Sequence, residues 1–405
     1  MVIVGAGQAG GRAALTLREA GHRGPILLLG QEPHAPYERP PLSKGFLAGD
    51  RDLASATIAT DEALQAAGID FRPSTIVTRI DVTDRMIAVQ DGTLIAYDKL
   101  LLATGREPRR LAVPCAVDGL VHVLRDIEDC RRLQRVLRPG AHAAIVGGGF
   151  IGLEVAASAR ALGVDVTVIE VLPRLLARVV PAELADRVAR RHQTAGVRLL
   201  LGRRIETISA SAQGARLELE DGQMIDADAV LIGIGATPRT ELAEAAGLAV
   251  DRGILVDERL RTSDPNIFAA GDVAACPNPL GGEPLRPESW QNAETQGALA
   301  ARNMLGANER HAPLPWFWSD QYELSLQISG FPERAAKTVE RPVGDEGCLI
   351  FHLAADDTLI GVSGLGPRSF IKEFKLGQKL LEHGSALDLK ALAQPEVRLK
   401  SLLRA

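Results

Sequence analysis

Gly147, Gly149, Gly152 and Glu170 are the residues whose types and spacing point most directly to chemistry. Glycines in the pattern GxGxxG leave backbone N–H groups uncovered, and such groups bind phosphate oxygens when a helix starts there. Gly147 permits a sharp turn, Gly149 lets a pyrophosphate approach the backbone, and Gly152 lets the helix pack closely. Glu170 can accept hydrogen bonds from a ribose 2′-OH, and its charge repels a 2′-phosphate. The chemistry is dinucleotide binding, with NAD(H) favoured over NADP(H).

Glycine-rich turns also join strands to helices for purely structural reasons, so the flanking elements decide the meaning. Residues 143–146 are small and apolar and read as a strand entering the turn. Ile151, Val155, Ala159 and Leu162 recur at helical spacing, Gly163 ends that helix, and residues 164–169 read as a second buried strand. Strand, glycines, helix, strand and acid make a βαβ unit. A second copy opens the chain, with Gly5, Gly7 and Gly10 in VIVGAGQAG, Ala13, Ala14 and Leu17 continuing the helix, and residues 26–29 as the returning strand. Here the acid is displaced: Gly30 and Gln31 precede Glu32, so Gln31 and Glu32 are both candidates for an adenosine ribose.

At 405 residues the chain is expected to form two or three domains. Its 46% hydrophobic and 24% charged residues are those of a globular protein rather than a disordered one. A net charge of −5, well mixed, gives no reason to expect a nucleic-acid or anionic-membrane surface. Cys115, Cys130, Cys276 and Cys348 form no CxxC pair and no Cys/His metal cluster, which reads as buried or inert thiols. No apolar run approaches the roughly 20 residues of a membrane span, and the chain enters a strand at Val2 without a basic stretch or cleavage pattern, so a cytoplasmic location is expected.

Residues 32–47 carry four prolines and several charges and must be an ordered loop. Arg39 and Lys44 in it are either solvated charges or cations placed for a ligand, and the proline-stiffened backbone favours placement. Residues 99–105 are a buried strand emptying into Ala103-Thr104-Gly105, and residues 228–235 repeat that design; they read as equivalent exits at crossings between domains, the first near Pro114 and Asp118. Residues 262–272 read as a short strand closing on Gly271-Asp272. Asp272, with Trp290 ahead of a helix over 294–305, is either a grip on a polar cofactor tail or a turn aspartate. From Pro313 the composition changes to PWFWSDQY, whose aromatic residues serve as core or cover a flat cofactor.

The two GxGxxG units, PPLSK at 40–44, ATG at 103–105, Gly271-Asp272 and PWFWSDQ at 315–321 together resemble the flavoprotein NADH:ferredoxin reductases of bacterial oxygenase systems. The likeness runs in order over nearly the whole chain. It implies an α/β fold of two Rossmann-like dinucleotide-binding domains in a glutathione-reductase-like plan, plus a C-terminal α+β domain. The expected division is 1–110 with 235–310 for FAD, 111–234 for NADH, and 311–405 for the third domain. Carried onto this sequence, the resemblance puts FAD against Gly5, Gly7, Ala9, Gly10, Lys44, Val77, Ala103, Thr104, Gly105, Arg125, Asp272 and Trp290, beside Gln31, Glu32 and Arg39, the candidates that the residues themselves offer for the same cofactor. It puts NADH against Gly147, Gly149, Ile151, Gly152, Glu154 and Glu170. Glu154 is expected to face the nicotinamide and pair with Lys44, although its position also suits an acid stabilised by the helix N-terminus. Trp318 is the expected exit for electrons. The chain departs from the family at Gln31, where an acid is usual, and in the glycine-rich stretch 361–367, which has no functional reading.

The implied activity is electron transfer from NADH through FAD to a [2Fe–2S] ferredoxin that serves a terminal oxygenase of Rieske dioxygenase or cytochrome P450 type. Lys44, Glu154 and Trp318 are the residues expected to act in it, in a monomer or homodimer without metal. An NADH oxidase or a rubredoxin reductase would share the fold. A redox-controlled binding protein resembling apoptosis-inducing factor would need a basic surface or a targeting segment. Arg261, Arg302 and Arg310 are basic, but scattered arginines are usually a solvated face and assign no docking site.

Overall fold

The computed structural model describes residues 1–115, 119–212, 214–312, 314–384 and 388–403. Asp118 and Pro313, placed by composition at domain boundaries, lie outside the described residues. The chain sorts into two compact units. The first holds Met1–Pro41, Arg51–Glu107 and Ala236–Pro313; the second holds Leu42–Asp50, Pro108–Gly235 and Leu314–Ala405.

Short apolar runs make four of the five strands of the first unit's sheet, buried on both faces as inner parallel strands are, while the edge strand Ile69–Arg72 exposes Asp70 and Arg72. Its order is Ile267–Ala269, Leu100–Leu102, Val2–Val4, Ile26–Leu29, Ile69–Arg72, all parallel. The helix Gln8–Glu19 buries Ala13, Ala14 and Leu17. It packs on the helix Trp290–Met304 so closely that a Cβ on Gly297 would stand 2.3 Å from the Ala9 carbonyl oxygen. The second helix starts earlier than the sequence suggested: Ser289 accepts a hydrogen bond from the Asn292 amide, so Trp290 lies in the first turn rather than ahead of it.

The second unit repeats this plan in the order Arg198–Leu201, Asp165–Glu170, His142–Val146, Ala229–Ile232, Val121–His122, again all parallel. Each unit adds a three-stranded antiparallel sheet, Val77–Asp81, Met86–Val89 and Leu94–Ala96 in one, Ile205–Ser211, Gly214–Leu219 and Met224–Ala227 in the other. One strand differs in origin. The outer strand beside the exit strand comes last in the first fold, from far along the chain, and first in the second.

The C-terminal part of the second unit is a five-stranded antiparallel sheet, in the order Trp316–Gln321, Leu324–Gly330, Leu359–Pro367, Gly347–Leu353, Lys337–Val343. Phe351, Val362, Phe370 and Phe374 form its core with the helix Ile371–His383. The glycine-rich stretch 361–367 has a packing reason. A Cβ on Gly364 would stand 2.5 Å from the Phe370 ring, and one on Gly366 would stand 2.8 Å from the Phe370 Cβ. Glycine is what lets the Phe370 turn lie on the sheet. Buried Arg341 donates to the carbonyls of Leu392, Gln394 and Val397, which ties down the last helices.

Candidate active site

Both glycine turns have the same geometry. Gly5 and Gly147 take φ of 106° and 108°, where a side chain is strained, and a Cβ there would stand 2.2 Å from the Ala103 carbonyl oxygen and 2.5 Å from that of Gly233. A Cβ on Gly10 or Gly152 would meet the carbonyl of the first glycine, at 1.8 Å and 2.3 Å. Gly7 and Gly149 are different. They are the N-cap residues of the helices Gln8–Glu19 and Phe150–Ala161, neither helix has a side-chain cap, and a Cβ would meet nothing within 4 Å at Gly7 and only the Gly233 oxygen, at 3.9 Å, at Gly149. Helix N–H groups facing open space fit a dinucleotide pyrophosphate in each fold. Ile151, 40% exposed in the first turn of its helix, offers an apolar surface beside the second cradle.

The two acids, Glu170 closing its strand and Glu32 three residues past Leu29, are held differently. Glu170 accepts from the Gly148 amide at 2.6 Å and the Leu172 amide at 2.8 Å, which sets its carboxylate at the rim of the glycine turn. Glu32 instead receives the Tyr37 hydroxyl and pairs with Arg39 at 2.5 Å, while Gln31 accepts from Arg239 at 2.7 Å. The candidates Glu32 and Arg39 are thus partners of each other.

Around the first cradle, Ala103 is buried, Gly105 has φ of 69°, and the Thr104 hydroxyl donates to the Arg239 carbonyl at 2.8 Å. Asp272 pairs with Arg106 at 3.0 Å, and Arg106 also bonds Glu288. Val77 is buried in the first unit's core. Lys44 and Arg125, also expected to contact FAD, belong to the second unit, where the Arg125 amide donates to Asp129 at 2.8 Å.

Within the second unit, three segments converge on Glu154, which is 4% exposed. Lys44, which follows the short helical turn Pro40–Ser43, reaches it at 2.7 Å. Ser43 donates to the same carboxylate oxygen, and Ser319 donates to the other at 2.6 Å. The helix begins at Phe150, so Glu154 lies in its second turn, beyond the reach of a simple first-turn acid. A buried carboxylate with one cation and two hydroxyls is fully engaged, and removing one partner of such a pair typically costs about 3–5 kcal/mol. Trp318, half-buried, stacks on Trp316 with ring centroids 5.1 Å apart. Phe317 meets Phe150 at 4.1 Å.

Residues 1–297 match the family model described as pyridine nucleotide-disulphide oxidoreductase. The chain belongs to that family. Residues 316–403 match a second model, reductase C-terminal, which covers the antiparallel sheet and its helices. The ferredoxin–NAD(+) reductase component of the anthranilate 1,2-dioxygenase system of Burkholderia cepacia is 40% identical over 99% of this chain and 98% of that protein. The crystal structure of the covalent putidaredoxin reductase–putidaredoxin complex matches with a TM-score of 0.94 at 34% identity, over all of this chain and 97% of the other. The ferredoxin reductase for the CYP199A2 system of Rhodopseudomonas palustris matches with a TM-score of 0.92 at 36% identity, over 99% and 98%.

The family's description names a disulphide, so the state of this chain's cysteines matters. All four are free. Burial pushes the Cys130 and Cys348 thiols up to about 12 and Cys276 to about 11, far from the thiolate that exchange chemistry requires. Cys115 is exposed, whereas the other three are buried. None of the four is bonded to another, so no disulphide stands ready to relay electrons between the family's two nucleotide cofactors, FAD and NADH, and an acceptor. Among the described residues no His/Cys/Asp/Glu group has the geometry of a metal site, and no helix is long and apolar enough to cross a membrane.

Sequence reasoning missed Ser43, Ser319, Gln321, His192 and Arg106. The first three stand inside PPLSK and PWFWSDQ, so the motifs marked them, but only the convergence on Glu154 shows why. Arg302 and Arg310 pair with Glu309 and Glu258, and Arg261 bonds Asn308, as a solvated face would.

Proposed function

We infer that this chain oxidises NADH and passes the electrons through FAD to a [2Fe–2S] ferredoxin. The observation that carries the reading is that one chain builds two open glycine turns at helix N-termini and holds only unbonded cysteines, which favours electrons leaving the flavin directly for an external acceptor over an internal disulphide relay. FAD, when bound, accepts a hydride and returns electrons one at a time. Likeness to ferredoxin reductases over the whole length supports this choice of carrier.

The residue roles are part of the proposal. Gly5, Gly7, Ala9 and Gly10 hold the FAD pyrophosphate, with Gln31 or Glu32 on its ribose and Arg39, Lys44, Val77, Ala103, Thr104, Gly105, Arg125, Asp272 and Trp290 along the rest. Gly147, Gly149, Ile151 and Gly152 hold NADH, and Glu170 reads its 2′-OH. Lys44 and Glu154 set the charge where the nicotinamide reacts, and Trp318 conducts electrons outward. The FAD part is 1–110 with 235–310, the NADH part 111–234, and the third domain 311–405. A Rieske dioxygenase or cytochrome P450 is the proposed final acceptor, the protein working in the cytoplasm as a monomer or homodimer.

Anaerobic stopped-flow mixing of FAD-loaded protein with NADH, then of the reduced protein with a [2Fe–2S] ferredoxin, tests the reading. Fast flavin bleaching followed by fast ferredoxin reduction is expected. Fast bleaching with transfer only to oxygen, or only to a rubredoxin, would replace the acceptor.

A further inference from the structure

We propose that Ser319, Gln321 and His192 are positioning residues that hold Glu154 through a hydrogen-bond chain whose every donor points toward that carboxylate. The inference rests on the reading of Glu154 and Lys44 given above, and it assigns the surrounding residues a task. The chain lies wholly within the second unit and starts on the helix Ala182–Thr194. Tyr322 Oη stands 3.2 Å from His192 Nδ1, His192 Nε2 stands 2.8 Å from Gln321 Oε1, Gln321 Nε2 stands 3.0 Å from Ser319 Oγ, and Ser319 Oγ stands 2.6 Å from Glu154 Oε1.

The carboxylate forces the direction of each link as far as His192 Nε2. Paired with Lys44, Glu154 only accepts, so Ser319 must spend its one proton on it. Ser319 then accepts from Gln321, which orients that amide and presents its oxygen to His192. His192 must therefore be protonated at Nε2, and a neutral ring is then bare at Nδ1, where it takes the Tyr322 hydroxyl. This requires a neutral imidazole, and burial, the largest influence on it, pushes the His192 pKa below its ordinary value. Burial likewise pushes the Tyr322 hydroxyl up to about 12, keeping it a donor. An amide cannot hand a proton along as a hydroxyl can, so the chain orients and polarises rather than conducts. Aligned donors in apolar surroundings reinforce one another, and Val188, Leu324, Leu326 and Leu365 line the same small cavity.

The far end is anchored at a conformational cost. Gln321 pairs with Leu324 across the hairpin, leaving Tyr322 and Glu323 as a two-residue turn. Tyr322 takes φ of 56°, a conformation that favours glycine or asparagine at such a turn. Arg191 lies over the Tyr322 ring at 4.0 Å and makes a two-bond pair with Glu323 at 2.6 and 2.8 Å. Two neighbouring residues of one helix thus clamp both residues of the turn, and the strain is kept where it aims Tyr322 at His192.

Nitrogen-15 NMR of histidine-labelled protein reads the His192 tautomer without reference to activity, and single-turnover flavin reduction by NADH reads the function. The wild-type protein is expected to show one tautomer, protonated at Nε2. Ser319→Ala frees the Gln321 amide to turn over, so His192 becomes a mixture, and flavin reduction at saturating NADH slows about ten-fold while the KM for NADH stays within about two-fold. Ser319→Thr, which keeps the hydroxyl, restores both readouts. Tyr322→Phe, at the far end, gives a smaller loss of about two-fold. A single tautomer and full rate in Ser319→Ala, alongside a slow Glu154→Gln variant, would overturn the chain. An unimpaired Glu154→Gln variant would instead remove Glu154 from the reaction, and the tautomer readout alone would then decide whether the chain exists.

Discussion

In the first fold the acid after the second strand turns to its own loop, Glu32 joining Tyr37 and Arg39; in the second, Glu170 turns back to the glycine turn and takes the Gly148 amide. The glycines of the two folds differ by only 2° in φ at the first position, where both lie against the neighbouring exit strand. The difference teaches which parts of a nucleotide fold are interchangeable. The turn is set by backbone contact with a sheet of fixed spacing, whereas the acid follows the sheet and answers to whatever loop comes next. That loop is proline-stiffened in the first fold, and in the second it is the backbone at Leu172 that receives the acid.

The likeness breaks most visibly if its glycines are exchanged. Gly5→Ala and Gly147→Ala are each expected to lose about 3 kcal/mol from strain and overlap, read by chemical denaturation. Gly7→Ala and Gly149→Ala should leave stability nearly unchanged and weaken FAD retention or NADH binding respectively. Equal destabilisation by Gly149→Ala and Gly147→Ala would abolish the distinction between a turn glycine and a ligand glycine.

Acid should act on both units through buried histidines. Burial pushes His311 in the first unit and His352 in the second down to about 4, from 6.5. The unfolded chain takes up these protons first, so their stabilisation is complete above pH 6.5 and is lost as the pH falls through 6.5 toward 4. Near pH 5 the loss is about 2 kcal/mol for each histidine. Urea midpoints of His352→Asn at pH 7 and pH 5 should fall less steeply than those of the wild type, and an unchanged slope would show that His352 titrates normally.

The contrast between the acids sharpens with nucleotide kinetics. Glu170→Ala should raise the KM for NADH about ten-fold, or about 1.4 kcal/mol, and narrow the advantage over NADPH. Glu32→Ala should leave that KM unchanged and loosen FAD. The smallest effect is expected at Trp318→Ala, slowing electron transfer to ferredoxin about three-fold while flavin reduction changes less; equal effects on both steps would make Trp318 a packing residue.

Much of the fold was legible because its demands are local. Both GxGxxG turns and the returning strands follow from periodicity and glycine placement, and resemblance supplied the α+β character of the C-terminal region. The start of the helix at Trp290 was missed because its cap, Ser289, follows a proline-rich stretch that resembles a loop. The glycines at 361–367 had no reading because their reason, the Phe370 ring, lies beyond the strand that carries them. The site was legible in part: PPLSK and PWFWSDQ marked two of the three segments at Glu154, and resemblance supplied its pairing with Lys44.

The sequence by itself determined that this protein would build two dinucleotide cradles, because glycine spacing acts through backbone sterics within a single strand–turn–helix unit. Only the tertiary structure decided what Glu154 became. In an extended chain its carboxylate, the Lys44 amine and the hydroxyls of Ser43 and Ser319 would each be satisfied by water. Bringing three distant segments together removes that water, and the four groups must then satisfy one another.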